Sequence, residues 1–202
     1  MSAAQFWDQR YACEHLVYGD LPNDFLLEQE HKLAPGANVL CLAEGEGRNA
    51  VYLAKRGCNV TAVDISAVAL QKAEKLAQQH QVRLNLIQAD LASFELGQQQ
   101  WHGIVAIFMH LPPALRQRIF AQIAAALKPG GIFIGEFYRP EQLKYGSGGP
   151  GDINMLYSTS LLASELTGLQ IPYLLATERH VLEGVGHTGL AAVSQVVALK
   201  SK

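Results

Sequence analysis

The middle of the chain alternates short apolar runs with stretches of helical periodicity. The run Asn38–Leu42 is almost continuously apolar, which is typical of a parallel strand buried on both faces. Four further strand-like runs lie at residues 59–64, 83–88, 103–108 and 132–138. The stretches between them predict helices: one at about 49–56, one that begins after Ser66, and one with apolar residues at Leu115, Ile119, Ile123 and Leu127 that ends at Pro129-Gly130-Gly131. This alternation predicts a doubly wound parallel sheet with right-handed crossovers.

The last third of the chain departs from the alternation. Residues 139–155 are rich in glycine and proline and predict a loop. A short helix is expected at about 160–166. Two strand-like segments, at about 177–183 and 191–199, flank the turn sequence GVGHTG and are close enough to form an antiparallel hairpin. The predicted architecture is therefore a mostly parallel seven-stranded α/β sheet with an antiparallel C-terminal hairpin at its edge.

The length of 202 residues suits one domain. We divide it into a leader (residues 1–35, with a helix that begins at Asn23), a core (residues 36–138) and a C-terminal part (residues 139–202). No linker, internal repeat or low-complexity tract separates these parts. We therefore expect a single domain over residues 1–202.

Charge and composition narrow the functional classes. The formal net charge of −2 favours neither a nucleic-acid backbone nor an acidic membrane surface. No apolar run approaches the ~18–20 residues that span a bilayer, and the first residues lack the pattern of a secretory signal. Three cysteines form no metal-binding spacing. We expect a cytoplasmic protein that acts on a small molecule, with no metal site and no nucleic-acid or membrane partner.

The segment after the first strand contains Gly45-x-Gly47-x-x-Ala50, the spacing of dinucleotide-binding loops. In an open α/β sheet, ligands bind beyond the carboxyl ends of the strands. This places residues 43–49 in the site: Ala43, Glu44, Gly45, Glu46, Gly47, Arg48 and Asn49. Asp64 follows Gly45 by 19 residues and lies at the end of the second strand. A carboxylate at this place can accept hydrogen bonds from the hydroxyls of a ribose. This spacing is equally compatible with the binding of NAD and of S-adenosylmethionine (SAM).

The two carboxylates of the loop distinguish these ligands. A pyrophosphate ~6 Å from Glu44 and Glu46 would be repelled by about 2–3 kcal/mol from each, at an effective dielectric constant of ~20. SAM has no phosphate and carries a sulfonium and an ammonium, so carboxylates favour it. The charges therefore predict SAM as the cofactor. An NAD(P)-dependent oxidoreductase remains the alternative, as does a loop whose glutamates face water.

Residues from about 36 to 138 resemble the class I SAM-dependent methyltransferases. The segment Leu40–Gly47 corresponds to motif I, Asp64 to the ribose acid and Asp90, in QADL, to the acid on the adenine side. The leader sequence FWDQRYACEHLVYGDLPNDFL and the segment EGEGRNAVYLA are more narrowly similar to the small tellurite-resistance and thiopurine methyltransferase-like group. The resemblance assigns further cofactor contacts next to these acids and after the fourth strand: Ile65, Ser66, Ala89, Leu91 and Phe108.

The sequence also departs from the family pattern. Cys41 replaces the usual acid of the first strand, and Ala43 replaces the first glycine of the loop. We expect Glu44 to take over the contact with the methionine amino group. In the leader, Trp7, Arg10, Tyr11 and Tyr18 are candidates to fold over the cofactor, with Arg10 as a partner for its carboxylate. The alternative is that the leader aromatics only pack on the sheet.

Five residues are candidates for catalysis on the acceptor side of the cleft: His110, Glu136, Tyr138, Arg139 and His187. His110 follows the fourth strand, where it is a possible base, an acceptor contact or a helix cap. Glu136 lies inside an apolar strand and needs a partner, with Arg139 or His187 as candidates, unless it belongs to a structural ion pair. His187 is either a turn residue or an acceptor contact.

Methyl transfer from a sulfonium requires mainly positioning and exclusion of water. Because no base in the cleft stands out, we expect a soft nucleophile such as a thiol, selenol or tellurium species, which needs little activation. The segment 109–113 lacks the Asn-Pro-Pro-aromatic pattern of many base methyltransferases, which disfavours nucleic-acid bases. The glycine-rich segment Lys144–Asp152, here called the cover loop, is either a mobile cover of the acceptor site or a simple connection. A SAM-binding protein without catalysis is a third possibility.

Overall fold

The computed structural model describes residues 1–202, and seven strands form its single sheet. The strands are β1 (Asn38–Leu42), β2 (Asn59–Asp64), β3 (Asn85–Gln88), β4 (Trp101–Ile107), β5 (Leu127–Tyr138), β6 (Gln170–Glu183) and β7 (His187–Leu199). The helices are α1 (Ala3–Tyr11), α2 (Asp24–Gln29), α3 (Arg48–Lys55), α4 (Ala67–Gln79), α5 (Pro113–Ala126) and α6 (Thr159–Glu165). Short 3-10 turns lie at Glu30–Lys32, Pro140–Lys144 and Ile153–Met155.

The strand order is β3-β2-β1-β4-β5-β7-β6. Strands β1 to β5 pair in parallel, whereas β7 runs antiparallel between β5 and β6. The predicted mostly parallel sheet with a C-terminal antiparallel hairpin is confirmed. The chain order reverses between β1 and β4, so a crevice opens at the carboxyl ends of these two strands.

Alternation along β1 builds a core on each face of the sheet. Leu40 and Leu42 point to the side covered by α5 and α6, while Val39 and Cys41 point to the side covered by α2 and α3. All four are essentially inaccessible to solvent. Cys41 is a core residue, as its place in a buried strand predicts. None of the helices is long and apolar enough to cross a membrane.

Two predicted boundaries were wrong. The fifth helix ends at Ala126, and Leu127 already pairs with Trp101 as the first residue of β5. The pairing then shifts to Gly103 with Ile132, so the Pro-Gly-Gly segment forms an irregularity inside β5 and not the stop of a helix. The final hairpin is also longer than predicted, and His187 begins β7 instead of lying in the turn.

The leader contains a helix, α1, that the sequence pattern was not expected to form. Ser2 caps it: its hydroxyl accepts a hydrogen bond from the Gln5 amide, and the Gln5 side chain accepts one from the Ser2 amide. This reciprocal Ser-x-x-Gln pattern is a capping box and was readable from the sequence. The helix α2 begins after Asn23, as predicted.

A buried ionic network joins the leader to the sheet. Glu136, on β5, is fully buried and accepts hydrogen bonds from three side chains: Asn23 of the leader, Arg179 of β6 and Gln195 of β7. Glu183, on β6, accepts from Asn23, Arg179 and Arg48. The expectation that Arg139 or His187 partners Glu136 was therefore wrong. Strand pairing of β5 with β7 and β6 brings in Gln195 and Arg179, which no local sequence pattern links to Glu136.

We predict that this network makes a large contribution to stability. Replacing Arg179 with leucine removes the guanidinium that two buried carboxylates share, and breaking a buried pair in this way costs about 3–5 kcal/mol of unfolding free energy. Urea denaturation measures this loss. The matched control is Arg56→Leu, because Arg56 pairs with Glu30 at the surface and its side chain is 55% exposed; its unfolding curve should stay close to that of the unmodified protein. Equal, small effects of both changes would show that the buried network is no more stabilising than a surface ion pair.

Candidate functional site

The glycine loop (residues 43–47) leaves β1 and turns sharply into α3. Three of its residues have positive φ: Ala43 at 49°, Gly45 at 65° and Gly47 at 88°. A Cβ atom on Gly47 would lie 2.6 Å from the Cβ of Ala73, so only glycine lets α4 pack directly on the loop. Ala43 adopts a left-handed backbone conformation, which glycine tolerates but which costs energy for alanine. Such strained residues are typical of functional sites. The loop and the amino end of α3 therefore line the crevice beside β1.

Asp64 is held against this loop. Its Oδ2 accepts a hydrogen bond from the Gly45 amide at 2.8 Å, and its Oδ1 accepts one from the Ser66 amide at 2.8 Å. Burial raises the pKa of the Asp64 carboxyl, although these backbone donors act in the opposite direction. A carboxylate accepts more than one hydrogen bond on each oxygen, so ribose hydroxyls still find acceptor capacity here. The geometry fits the ribose contact assigned to Asp64.

Glu44 keeps part of its surface accessible in the crevice. Its Oε1 accepts the Ala50 amide at 2.8 Å, which caps the first turn of α3. Burial raises the pKa of the Glu44 carboxyl to about 7, while the Ala50 and Asn49 amides and the Arg48 guanidinium oppose this rise. The carboxyl therefore titrates near neutral pH in the free protein, and a neighbouring cation would favour its ionised form.

Glu46, unlike Glu44, binds groups of the leader and of α4. Its Oε2 accepts hydrogen bonds from the amides of Val17, at 2.8 Å, and Tyr18, while its Oε1 pairs with the Lys72 ammonium at 2.8 Å. The side chain is buried, and these contacts tie the leader to the glycine loop and to α4. No local sequence pattern predicts this role, because the partners of Glu46 are 26 to 29 residues away in the chain.

The side chains of Arg48 and Asn49 also bind protein groups. Arg48 pairs with Glu183 and donates to the Leu21 carbonyl, and the Asn49 side chain accepts the Asn23 amide at 2.9 Å. Both are buried. Contacts of these two residues with a cofactor remain a prediction that rests on their backbone at the start of α3.

The leader covers the glycine loop. Trp7 stacks on Tyr11 with ring centroids 5.7 Å apart, and the Tyr11 ring meets Tyr18 edge-on at 6.1 Å. The Tyr11 hydroxyl lies so close to Gly45 that a Cβ atom there would be 2.7 Å away. Arg10 is exposed on the same helix and forms no ion pair. The leader therefore packs on the glycine loop through Tyr11, and the contact of Trp7, Tyr11 and Tyr18 with a cofactor stays a prediction.

A second anchor joins the leader to α4. Asp8 accepts hydrogen bonds from the Ser66 hydroxyl, at 2.6 Å, and the Val68 amide, at 3.3 Å. Ser66 itself caps α4 through the Ala69 amide. The two predicted cofactor-side residues Ile65 and Ser66 therefore differ: Ser66 is buried in the cap, and Ile65 remains partly accessible.

A cleft of about 270 Å³ lies beside this anchor, between the start of the leader and the ends of β2 and β3. Its lining consists of Ser2, Ala3, Ala4, Ile65, Gln88, Ala89 and Asp90. Asp90 is exposed, and its Oδ1 accepts the Ala92 amide at 2.8 Å. The neighbouring Leu91 is buried in the core. Apolar walls and a carboxylate with free acceptor capacity fit an adenine ring and its amino group, with Asp64 and the glycine loop beyond.

Aromatic rings pack together near the carboxyl ends of β4 and β5. Phe108 follows β4 with a φ of 51°, a strained value for a residue that is not glycine. Its ring stacks on Tyr138 with centroids 4.4 Å apart and meets His187 edge-on at 4.6 Å. Tyr138 is fully buried, and burial raises the pKa of its phenol, so the hydroxyl keeps its proton. The four aromatic side chains Tyr18, Phe108, Tyr138 and His187 are here called the aromatic pocket.

Both nitrogens of His110 are bound to the protein. Nδ1 lies 2.6 Å from the Met155 carbonyl, and Nε2 lies 3.2 Å from the Tyr138 amide. The amide must donate, so Nε2 is the acceptor and Nδ1 carries the proton. Burial lowers the pKa of His110 to about 4. His110 therefore clamps the ends of β4 and β5 to the 153–155 turn, and it has no free nitrogen to serve as a base.

The cover loop packs on the aromatic pocket. A Cβ atom on Gly148 would lie 2.6 Å from the His187 ring, and one on Gly149 would lie 2.8 Å from the Tyr138 ring. Ser147 anchors the loop by donating to the Leu190 carbonyl at 2.6 Å and accepting from Gln142. Arg139, at the end of β5, pairs with Glu141 and Glu178 and lies outside the pocket contacts. The structure brings Tyr138 and His187 together with Phe108, whereas Glu136 and Arg139 form ion pairs elsewhere.

Comparison with known proteins agrees with this arrangement. Residues 39–131 match the family model described as a methyltransferase domain. An uncharacterized methyltransferase, sll0829, of Synechocystis sp. is 35% identical over 112 residues, which cover 54% of this chain and 50% of that protein. The chain thus spans about half the length of that relative.

Solved structures share the fold over nearly the whole chain. TehB from Haemophilus influenzae superposes with a TM-score of 0.73 at 15% identity, covering 98% of this chain and 67% of that one. A structure from work on the conversion of a disulfide bond into a thioacetal group during echinomycin biosynthesis superposes with a TM-score of 0.79 at 14% identity, covering 99% and 92%. Residues 39–131 are therefore similar to the methyltransferase domain family, and the whole chain shares its fold with these solved structures.

Proposed function

We propose that this protein transfers the methyl group of SAM to a small, soft nucleophile such as a thiol, a selenol or a tellurium species. The observation that carries the proposal is the arrangement of the crevice. A loop with an ionisable carboxyl, Glu44, lies at the carboxyl end of β1, and the packed rings of the aromatic pocket lie near the ends of β4 and β5. The first element suits a cationic methyl donor, and the second suits an apolar, polarizable acceptor.

SAM, when bound, supplies a methyl group activated by a sulfonium. In this proposal Asp64 and Asp90 hold its ribose and adenine, and the Glu44 carboxylate meets its methionine ammonium. The leader, through Trp7, Tyr11 and Tyr18, excludes water from one side. The cover loop excludes it from the other side. The protein thereby contributes position and a dry site more than chemical activation.

Two observations support a soft acceptor. His110 and Glu136 are occupied by protein partners, so they do not serve a hydroxyl acceptor as base. The structural neighbour from echinomycin biosynthesis is described with sulfur chemistry, the conversion of a disulfide into a thioacetal. The family match disfavours the NAD(P)-dependent alternative.

Two measurements test the proposal. Calorimetry with SAM, S-adenosylhomocysteine and NADH should show micromolar binding of the first two and weak binding of the third. A screen with methyl-labelled SAM then compares benzyl mercaptan, selenite and tellurite with benzyl alcohol and benzylamine. Label that appears only in the alcohol or the amine would refute the acceptor class. SAM binding without transfer to any acceptor would favour a SAM-binding protein without this activity.

We predict that SAM affinity depends on the ionisation of Glu44. A cationic ligand prefers the carboxylate, and the Glu44 pKa of about 7 leaves that form scarce below neutral pH. SAM affinity should therefore rise by up to about tenfold, or 1.4 kcal/mol, between pH 6 and pH 7, and it should level off at higher pH. In Glu44→Gln this rise should be absent, and affinity at pH 7.5 should fall by about 1.5–3 kcal/mol, the range for hydrogen bonds to charged groups.

The control for this prediction is Glu28→Gln, which alters an exposed glutamate of α2. Its affinity and pH profile should match those of the unmodified protein in calorimetry. An unchanged profile in Glu44→Gln would assign the pH dependence to another group and remove Glu44 from the ligand.

We also predict that the cover loop matters for turnover more than for SAM affinity. Gly148→Ala places a methyl group 2.6 Å from the His187 ring at a φ of 126°, so the loop no longer closes on the aromatic pocket. Turnover with the best acceptor should fall at least about tenfold, whereas SAM affinity should change little, since misplacement of a reacting group by about 1 Å costs as much as 10²-fold. Gly151→Ala is the matched control, because no atom lies within 4 Å of a Cβ there. Similar turnover in both variants would make the loop a mere connection.

A further inference from the structure

His187 is enclosed by segments from four parts of the chain. Its ring lies 4.4 Å from Tyr18 of the leader, 4.6 Å from Phe108 after β4 and 5.2 Å from Tyr138 at the end of β5, centroid to centroid. The cover loop closes the fourth side at Gly148. Only 8% of the residue is exposed.

The imidazole nevertheless has no hydrogen-bond partner in the protein. Its Nδ1 is inaccessible and unpaired, and no protein group bonds to Nε2. Buried polar atoms are hydrogen-bonded in more than about 90% of cases, because an unpaired one loses its bonds to water without replacement. His110, whose ring stacks on the side chain of Tyr138, has both nitrogens satisfied. An orphaned imidazole in the pocket therefore indicates a ligand that supplies the missing partner.

The surroundings keep this imidazole neutral. Burial lowers the pKa of His187 well below its usual value, and the charges of Arg48, Arg10 and Arg179 and the neighbouring His110 act in the same direction. Of the hydroxyls that face the ring, the one on Tyr138 points to the Ser147 carbonyl and the one on Tyr18 lies beside Arg10. A neutral imidazole has one lone pair and can accept a proton. The other candidate bases are occupied, as described above.

We propose that His187 accepts the proton of the methyl acceptor, and that the acceptor is an apolar thiol that enters between the rings of the aromatic pocket in its neutral form. The inference rests on the proposed function and narrows it, from soft nucleophiles in general to a thiol whose proton the protein takes up. The aromatic walls offer contacts to sulfur, and the Arg48 and Arg179 guanidiniums that act on the His187 ring are each paired with a carboxylate.

The step balances as follows for a thiol. The acceptor sulfur forms a bond to the methyl carbon and loses its hydrogen as a proton to the His187 ring. The pair that held the methyl group stays on the donor sulfur, which becomes neutral. A sulfur that gains a methyl group while still bearing hydrogen is strongly acidic, so even a weakly basic imidazole takes its proton. The imidazolium then releases the proton to water when the cover loop opens.

Two thiols of similar size but different acidity test this role. Benzyl mercaptan is protonated at pH 7.5, whereas 4-nitrobenzenethiol is already ionised and has no proton to give. In His187→Gln and His187→Asn, whose amides retain hydrogen bonding without the basicity, kcat/KM for benzyl mercaptan should fall by about 100-fold, within the range for a positioned base. The value for 4-nitrobenzenethiol should change only a few-fold. Equal losses on both thiols, or no loss on either, would overturn the assignment.

Binding provides an independent readout. In protein with ¹⁵N-labelled histidine rings and bound S-adenosylhomocysteine, benzyl mercaptan should shift the His187 nitrogen resonances and leave those of His180, exposed on the same hairpin, unchanged. Absence of this shift would refute the role of His187. If the unmodified protein methylates neither thiol, the proposed soft-acceptor function fails, and the resonance shift alone then decides whether His187 binds such a ligand. SAM affinity and thermal unfolding of the variants, with His180→Gln as control, show that the fold is intact.

Discussion

The structure depends on the sharing of two buried carboxylates, Glu136 and Glu183, between donors from distant parts of the chain. One donor comes from the leader, one from the helix after the glycine loop and two from the C-terminal hairpin. Each carboxylate would be costly to bury alone, and each cation would be costly without them. The elements that surround the crevice are therefore joined by one set of charges, and none of them reaches its place without the others.

The two loop glutamates show how identical side chains, two residues apart, take different roles. Glu46 meets a lysine and two leader amides, so its charge is compensated within the protein. Glu44 meets the amides of Ala50 and Asn49 and stays partly accessible, and burial raises the pKa of its carboxyl to about 7. Of the two glutamates, only Glu44 has a carboxyl that is free to meet a cationic ligand. The negative charge of Glu46 instead binds the leader and α4 to the glycine loop.

The sequence predicted most of the fold because strand and helix periodicity is a local signal. Buried runs such as Asn38–Leu42 and caps such as Ser66 and Asn23 appear in the structure where the pattern puts them. The end of α5 was missed because Leu127 continues the helical spacing although it already pairs with β4. In the site, the glycine loop and Asp64 lie at the predicted edge of the sheet. The partners of Glu46, Glu136 and His110 were not readable, because they follow from contacts 26 to 113 residues apart.

The leader also has a consequence for access to the glycine loop. Its anchors at Asp8, at Tyr11 and at the Val17–Tyr18 amides all close the same opening over the glycine loop. The glycine loop is uncovered only when these contacts are released together, because each of them holds the same segment in place. Access of any ligand to the loop is therefore coupled to a helix of nine residues that lies outside the sheet.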